Sequence, residues 1–459
     1  MGGTVKLTHN GKGIVRLCLF LLLFGLFLVF ASLNLIETDL LSGRTLQDLR
    51  ARDDIEIAFV GSSVTVYHMN PEIVTRETGL TAFDCAIHSI SFPGAMVLTE
   101  EMFKTSHPKY VVLVLEPYNL DSAKESEEAE FRVMPFLKDP RQQLDYYLAT
   151  AALDNEYLER ALIMRTMYPK SLRGIIKTHD TKKNATKAME KYKDRLDPEE
   201  TYMGSGFVRH NATKAKFEEE LRVKMYRDYS EGDYYPLLKQ TKVQIDAYRE
   251  LVESHGSELI FIICPNHTSH ALAIPSFLPY TQSLMRYCSE KGIPLFNFQF
   301  ATPELMPCLD EYYFDIYHMC GEGADIFTSA FCRVFNAWKD GEDVSSLFYY
   351  NDWTYLDRLH ALTNTWVWPD GDHFRADCNI DQHSTPEYRF LYVDESGNET
   401  LLRDYAEDPL ISFDLPETGN LRVYARIVGE EQQPHVYYDY PKDFYFAKRF
   451  LALDGEEDE

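Results

Sequence analysis

Short apolar runs, each closed by turn residues, recur along the first two thirds of the chain. At 55–60 the order is Ile, Glu, Ile, Ala, Phe, Val, followed at once by Gly61, Ser62 and Ser63. Strand formers over so short a stretch predict a buried strand, and Gly61 predicts a sharp turn. Residues 81–86 predict a second strand. Residues 110–116 (Tyr-Val-Val-Leu-Val-Leu-Glu) predict a third, with the unbroken apolar character of a strand covered on both faces. Between them Asn70-Pro71-Glu72 starts a short helix, with Asn70 as cap and Pro71 at the first position. Pro93-Gly94 opens another helix that runs to about 106. An amphipathic helix over 235–254 turns Leu238, Ile245, Tyr248 and Leu251 inward. Strands are predicted at 258–264 and 294–298, with a helix over 282–291 between them and a further helix from Gly321 through 335. Strands alternating with helices predict an α/β fold built on a doubly wound, mostly parallel sheet.

Two stretches break this rhythm. Residues 120–232 carry almost no strand signal, whereas 142–167 and 215–229 show helical spacing, so a helical insertion or cap over the sheet is expected. After 341 the texture becomes aromatic, with Trp353, Trp366 and Trp368 among many tyrosines. Segments 387–393 and 400–404 flank a Glu-Ser-Gly-Asn turn, a hairpin signal. Leu421, Val423, Ala425 and Ile427 alternate with Arg422, Tyr424 and Arg426, as in a half-buried strand. A small β-sandwich-like module, with the immunoglobulin-like arrangement as one form, is expected over 341–454. An acidic tail, 455–459, is expected to be disordered.

The longest apolar run lies at the other end. Residues 17–36 are almost wholly apolar and match the roughly 20 residues a helix needs to cross a bilayer. Lys6, Lys12 and Arg16 precede the run, and Glu37 and Asp39 follow it. The positive-inside rule then places residues 1–16 in the cytoplasm and everything after the span outside the cell membrane. A cleaved signal peptide is the rival reading, but the run exceeds a usual h-region and no A-x-A site follows. Residues 37–52 read as a connector, and 53–340 as the α/β domain with its insertion.

Charge and cysteine usage narrow the functional classes. Across 459 residues the formal net charge is -26, which argues against nucleic acid as a partner. A basic island runs against it: Lys170, Arg173, Lys177, Lys182, Lys183, Lys187, Lys191, Lys193 and Arg195. A solvated helix face accounts for it, as does contact with anionic headgroups or an anionic polymer. None of the 8 cysteines forms a C-x-x-C pair. A disulfide such as Cys308 to Cys320 and buried free thiols are both open. Asn184, Asn211, Asn266 and Asn398 open N-x-T sequons. There is no P-loop and no Gly-x-Gly-x-x-Gly, so no nucleotide cofactor is expected. His373, Asp377 and His383 lack any standard metal spacing.

Chemistry-bearing residues fall where strands end: Ser63 after the first, Asn119 after the third, Asp315 and His318 after the fifth. In a doubly wound sheet those ends share one edge. A serine hydroxyl is a poor nucleophile until a base accepts its proton. His318 can accept it, with Asp315 three residues earlier orienting the imidazole. Backbone donors at Ser63 and Gly94, with the Asn119 amide, are the candidate oxyanion donors. His68, His88, His267 and His270 are alternative bases without an acid at that spacing. Ser62 reads as a structural hydroxyl, and Glu116 is left unassigned.

This order of residues resembles the SGNH/GDSL hydrolase superfamily over roughly 53–338: a serine turn, a glycine, an asparagine, then Asp-x-x-His. The turn here is Gly-Ser-Ser rather than Gly-Asp-Ser, and the third block is Glu-Pro-Tyr-Asn rather than Gly-x-Asn-Asp. The predicted tether is similar to that of the DltD and AlgX/AlgJ branch. The resemblance implies Ser63 as nucleophile, His318 as base and Asp315 as acid. The chemistry implied is serine acyl-esterase or O-acyltransferase chemistry on a cell-surface polysaccharide or related polymer, with a membrane-bound acyl-donor partner as one source of acyl groups. The alternative is a non-catalytic cell-envelope glycan-binding or scaffold protein that keeps the fold.

Overall fold

The computed structural model describes residues 9–35, 39–116, 132–133, 136–154, 199–211, 236–267, 271, 277–307, 310–315, 317–349, 362–380, 384–416, 418–429 and 436–440. Asn119, His270, Cys308, His383, the basic island and the acidic tail lie outside them.

In chain order the strands of the α/β domain are β1 (Ile57–Val60), β2 (Ala82–Asp84), β3 (Tyr110–Val114), β4 (Glu200–Gly204), β5 (Phe207–His210), β6 (Glu258–Ile263) and β7 (Leu295–Asn297). Five of them form one sheet in the order β2-β1-β3-β6-β7. Every pairing in it is parallel, with Phe59 opposite both Asp84 and Val112, and Leu113 opposite Phe261. The order reverses at β1, where the chain leaves toward β2 and returns to β3 on the other side. That is the switch point at which doubly wound sheets open a crevice.

Side chains alternate between the two faces of the sheet with the period of a strand. Ala58, Val60, Val111, Leu113, Phe261 and Ile263 enter one core. Helices α2 (Leu40–Arg50), α5 (Phe92–Phe103), α7 (Lys239–Ser254) and α8 (Phe277–Lys291) cover it, through residues such as Leu49, Leu98, Tyr248 and Leu284. Ile57, Phe59, Val112, Val114, Ile260 and Ile262 enter the other core. Helices α3 (Ser63–His68), α4 (Pro71–Thr78) and α9 (Gly321–Lys339) close that face with Val64, Val74, Phe327 and Phe331. Helix α4 begins as its sequence predicts: Asn70 accepts the Glu72 N–H at 3.1 Å and Pro71 follows it.

The insertion is not wholly helical. It contains α6 (Pro140–Asp154), whose Tyr146 is buried in the first core, but also the antiparallel hairpin β4–β5. The turn of that hairpin, Gly204-Ser205-Gly206, has positive φ at all three residues. It docks on the edge strand β2, where Asp84 donates its N–H to the Ser205 carbonyl at 2.8 Å. Gly206 is required there, because a Cβ would overlap the Asp84 carbonyl.

Past the domain, strands β8 (Leu362–Asp370), β9 (His373–Ile380), β10 (Pro386–Val393), β11 (Glu399–Ala406), β12 (Leu410–Ile411), β13 (Asn420–Ile427) and β14 (Val436–Tyr440) form two antiparallel sheets. Their orders are β11-β10-β13-β14 and β12-β9-β8. Val367, Ala376 and Cys378 from one share a core with Phe390, Val423 and Ala425 from the other.

Helix α1 (His9–Leu35) has 27 residues, of which the side chains of 12–27 are described. Its large apolar side chains from Ile14 to Phe27 are exposed. Among the described residues no helix is long and apolar enough to cross a membrane. Cys320 is a free thiol, donating to the Glu311 carbonyl at 3.3 Å, and Cys85, Cys264, Cys288, Cys332 and Cys378 are free and buried. Asn266, one of the sequon asparagines, is also buried.

Candidate active site

The site begins at the turn after β1. A Cβ at Gly61 would overlap Oγ1 of Thr65 and lie 3.0 Å from Cβ of Val114, so only glycine lets α3 start this close to β3. Ser62 is extended (φ -92°, ψ -158°) and caps α3, accepting the Val64 N–H at 3.4 Å. Ser63 is therefore the first residue of the helix and stands at the carboxyl edge of the sheet. The neighbouring segment after β2 runs alongside, with Ile87 donating to the Gly61 carbonyl at 3.1 Å.

The second half of the site comes from the loop before α9. Phe314 donates its N–H to the His318 carbonyl at 3.0 Å, and Cys320 donates to Tyr312 at 2.9 Å. Oδ1 of Asp315 accepts the N–H groups of Tyr317 at 2.7 Å and His318 at 2.6 Å. This short-range bonding is what an aspartate does in a tight turn. It leaves Oδ2 free to lie 2.7 Å from Nδ1 of His318, while Nε2 of His318 lies 2.8 Å from Oγ of Ser63. With Nδ1–H donating to the carboxylate, the Nε2 lone pair faces the serine hydroxyl. Serine and imidazole are 255 residues apart in sequence.

Two further histidines flank this line. His68 is fully buried and accepts the Met319 N–H on Nε2 at 2.9 Å. Burial, reinforced by the charge His318 can carry, holds its pKa well below the usual imidazole value. The ring of His88 lies 5.3 Å from that of Tyr67. Burial is the main cause that pushes its pKa down to about 4; Asp39 opposes this, while Arg132 and His318 add to it. Both rings are thus neutral at ordinary pH. Asp84, buried at the end of β2, is pushed the other way, well above the carboxylate range, by burial. His267 is buried with its ring edge-on to Tyr313 at 5.4 Å. Among the described residues, His318 is the histidine bonded to Ser63.

Gly94 lies in the first turn of α5. A Cβ there would overlap Cγ1 of Ile90 and come within 3.4 Å of the Tyr146 hydroxyl, so helix packing accounts for its glycine. Glu116 follows β3 at the sheet edge and is half-buried.

Several residues at the site escape the sequence reading. Tyr67 of α3 sets its ring edge-on to His318 at 5.1 Å. From the insertion, Arg209 of β5 reaches α9 and His210 reaches Phe314 in the loop before it. Arg209 donates to Oδ2 of Asp325 at 2.7 Å, and Asn70 donates to Oδ1 at 2.9 Å. The available signal was Gly204-Ser205-Gly206 between Tyr202 and Phe207, a turn flanked by strand formers. Among the described residues no cluster of three His, Cys, Asp or Glu side chains is placed to hold a metal ion.

No protein-family model matches the chain, and no curated protein matches it. Among solved structures the chain is similar to a Bacteroides fragilis protein described provisionally as an acylhydrolase. That likeness has 10% sequence identity and a TM-score of 0.31, and covers 64% of this chain and 93% of the other. It is too slight to carry a functional argument.

Proposed function

We propose that the protein is a serine acyl-esterase or O-acyltransferase of the SGNH type. One observation carries this reading: the Ser63–His318–Asp315 line, with hydrogen-bond distances of 2.8 and 2.7 Å. The donors and acceptors are ordered as a nucleophile, a base and an orienting acid must be.

In the first half-reaction Oγ of Ser63 attacks an acyl carbonyl as its proton passes to Nε2 of His318. Asp315 stabilises the resulting imidazolium. The tetrahedral intermediate collapses, the ester C–O bond breaks, and Nε2 returns the proton to the departing alcohol. An acyl-Ser63 ester remains. In the second half-reaction His318 takes a proton from water or from an acceptor hydroxyl as its oxygen attacks the acyl carbonyl; the acyl–Oγ bond then breaks and Nε2 returns the proton to Ser63, giving hydrolysis or transfer. The backbone N–H of Ser63 at the start of α3 is the first oxyanion donor in this scheme, with Gly94 and Asn119 as the further candidates. No cofactor enters either step.

The exposed apolar side chains of α1 support a membrane anchor. The apolar run 17–36 has about the 20 residues that a helix needs for a hydrocarbon core of about 30 Å. With basic residues before it and acidic ones after it, the catalytic domain is outside the cell membrane and its substrate is a cell-surface polysaccharide or related acylated polymer. A fluorophosphonate probe tests the chemistry. The full chain is expected to be labelled, and Ser63→Ala to be silent. Equal labelling of the two would sink the nucleophile. The anchor predicts that the full chain floats with lipid vesicles and that a chain lacking 1–36 does not.

A further inference from the structure

Among the described residues of the insertion, the hairpin β4–β5 touches the loop that carries Asp315 and His318, and the reaction scheme gives it no task. Its last residue, His210, is buried, with its ring stacked on that of Phe314 at a centroid separation of 3.6 Å and an interplanar angle of 10°. The Phe314 ring in turn stacks on His318, at 5.5 Å and 15°. Three rings therefore lie in nearly parallel planes, ending on the imidazole that faces Ser63. Tyr67 closes the side of the stack. Its ring is edge-on to His210 (6.2 Å, 74°), Phe314 (5.2 Å, 79°) and His318 (5.1 Å, 65°). Its hydroxyl donates to Oε1 of Glu200 at 2.7 Å, on the other strand of the same hairpin.

We propose that His210 is a positioning residue for the base His318, carried to the site by the inserted hairpin and acting through the ring of Phe314. This rests on the acyl-enzyme reading above. Phe314 immediately precedes Asp315, so a shift of its ring moves the carboxylate that orients His318. Hydrogen bonds within the loop restrain its backbone, but the Phe314 ring needs a surface to lie on. His210 supplies that surface, with its ring stacked on Phe314 at 3.6 Å. A ring is suited to the task because stacking fixes an orientation, whereas an aliphatic side chain of equal bulk fixes only a volume. When His318 takes the serine proton, the Phe314 face also meets a cation and attracts it. Arg209, one residue earlier, ties the hairpin to Asp325 on α9 and keeps the stack in register. The Arg209 side chain packs against Gly321, the first residue of α9, within 2.7 Å of where a Cβ there would fall.

The test is the rate at which a fluorophosphonate labels Ser63 in the full chain. His210→Ala is expected to slow the maximal labelling rate about tenfold, since displacements well under an ångström already cost this much. The probe concentration giving half-maximal rate should stay unchanged. His210→Phe should restore the rate to within about twofold, and His210→Leu should not. Labelled wild type with an unaffected His210→Ala variant would overturn the inference while leaving the acyl-enzyme reading intact. So would His210→Leu labelling as fast as His210→Phe, a comparison that stands even if His210→Ala fails to fold. Wild type that is not labelled would remove both, and would do so at the control.

Discussion

Met319 donates its backbone N–H to Nε2 of His68 at 2.9 Å, so the last residue of the serine's helix holds the residue that follows the base. Ser63 and His68 lie on one helix; His318 and Met319 lie on one loop. The distance between Ser63 and His318 is thus set twice, by their own hydrogen bond and by this second one. His68→Ala would leave a buried N–H without an acceptor, at a cost of about 1–3 kcal/mol. It is expected to slow Ser63 labelling about tenfold. His68→Gln, whose amide oxygen can accept the same N–H, should keep most of the rate.

The same histidine makes stability depend on pH. Its folded pKa lies well below the unfolded value near 6.5, so the unfolded chain binds the proton first. The contribution is complete above that value and is lost as pH falls toward the folded pKa, at up to about 1.4 kcal/mol per pH unit for each proton. His88, with a folded value of about 4, has the same sign. Asp84 has the opposite sign. Its raised pKa stabilises fully below the unfolded value of 3.8, and that stability is lost as pH rises through the folded one. Thermal midpoints at pH 7 and pH 5 should therefore fall further for wild type than for His68→Gln. Identical pH dependence in the two would refute the buried neutral state of His68.

Asp315→Asn separates orientation from folding. The asparagine oxygen can still accept the Tyr317 and His318 N–H groups, so the turn and the thermal midpoint should hold. The amide NH₂, however, then faces Nδ1 of His318. The imidazole has to carry its proton on Nε2, where it cannot accept one from Ser63. Esterase turnover, and the labelling rate with it, is expected to fall roughly 10³–10⁴-fold. A loss of less than about tenfold would mean that the carboxylate is not the orienting acid.

Gly61→Ala is expected to destabilise the domain by about 1–3 kcal/mol, because the new methyl overlaps Oγ1 of Thr65 and presses on Val114. Adding Thr65→Ala removes the closest atom and should recover part of the thermal midpoint, leaving contacts of 3.0 Å with Cβ of Val114 and 3.2 Å with the Cβ at position 65 as the residual cost. No recovery in the double variant would place the strain elsewhere.

Gly206→Ala acts on the hairpin. Its φ of 89° strains any residue with a Cβ, and the methyl overlaps the Asp84 carbonyl. The hairpin should lift from β2, which proteolysis between 199 and 211 would report. Labelling of Ser63 should slow as it does in His210→Ala. Faster proteolysis with unchanged labelling would show that the hairpin leaves the base undisturbed.

How much of this was legible beforehand follows from the range of the forces involved. The five sheet strands announce themselves as apolar runs, because strand formation and burial on both faces leave a mark on every residue. The alternation over 421–427 and the turn at 395–398 mark β13 and the β10–β11 hairpin for the same local reason. Gly61 followed by two hydroxyls, and Asp315 three residues before His318, are short-range patterns too, and they single out the three side chains that the fold brings within hydrogen-bond distance. The sequence alone did not reveal the strand pair β4–β5. Its two short strands lie among helix-like segments, and their value as strands comes from docking on β2 at Asp84.

What the sequence by itself determined is therefore a set of elements and a set of candidate groups at strand ends. Tertiary structure decided which of those groups meet. The sheet order puts β1 at the reversal point, with the Ser63 turn at the carboxyl edge of the sheet. The Asp315 turn aims Nε2 at that serine across 255 residues. Folding also decided that His68 is buried and His88 half-buried, and that a single ring, Phe314, separates His210 from His318. Burial and convergence are sums over distant packing, and no local spacing of residue types encodes them.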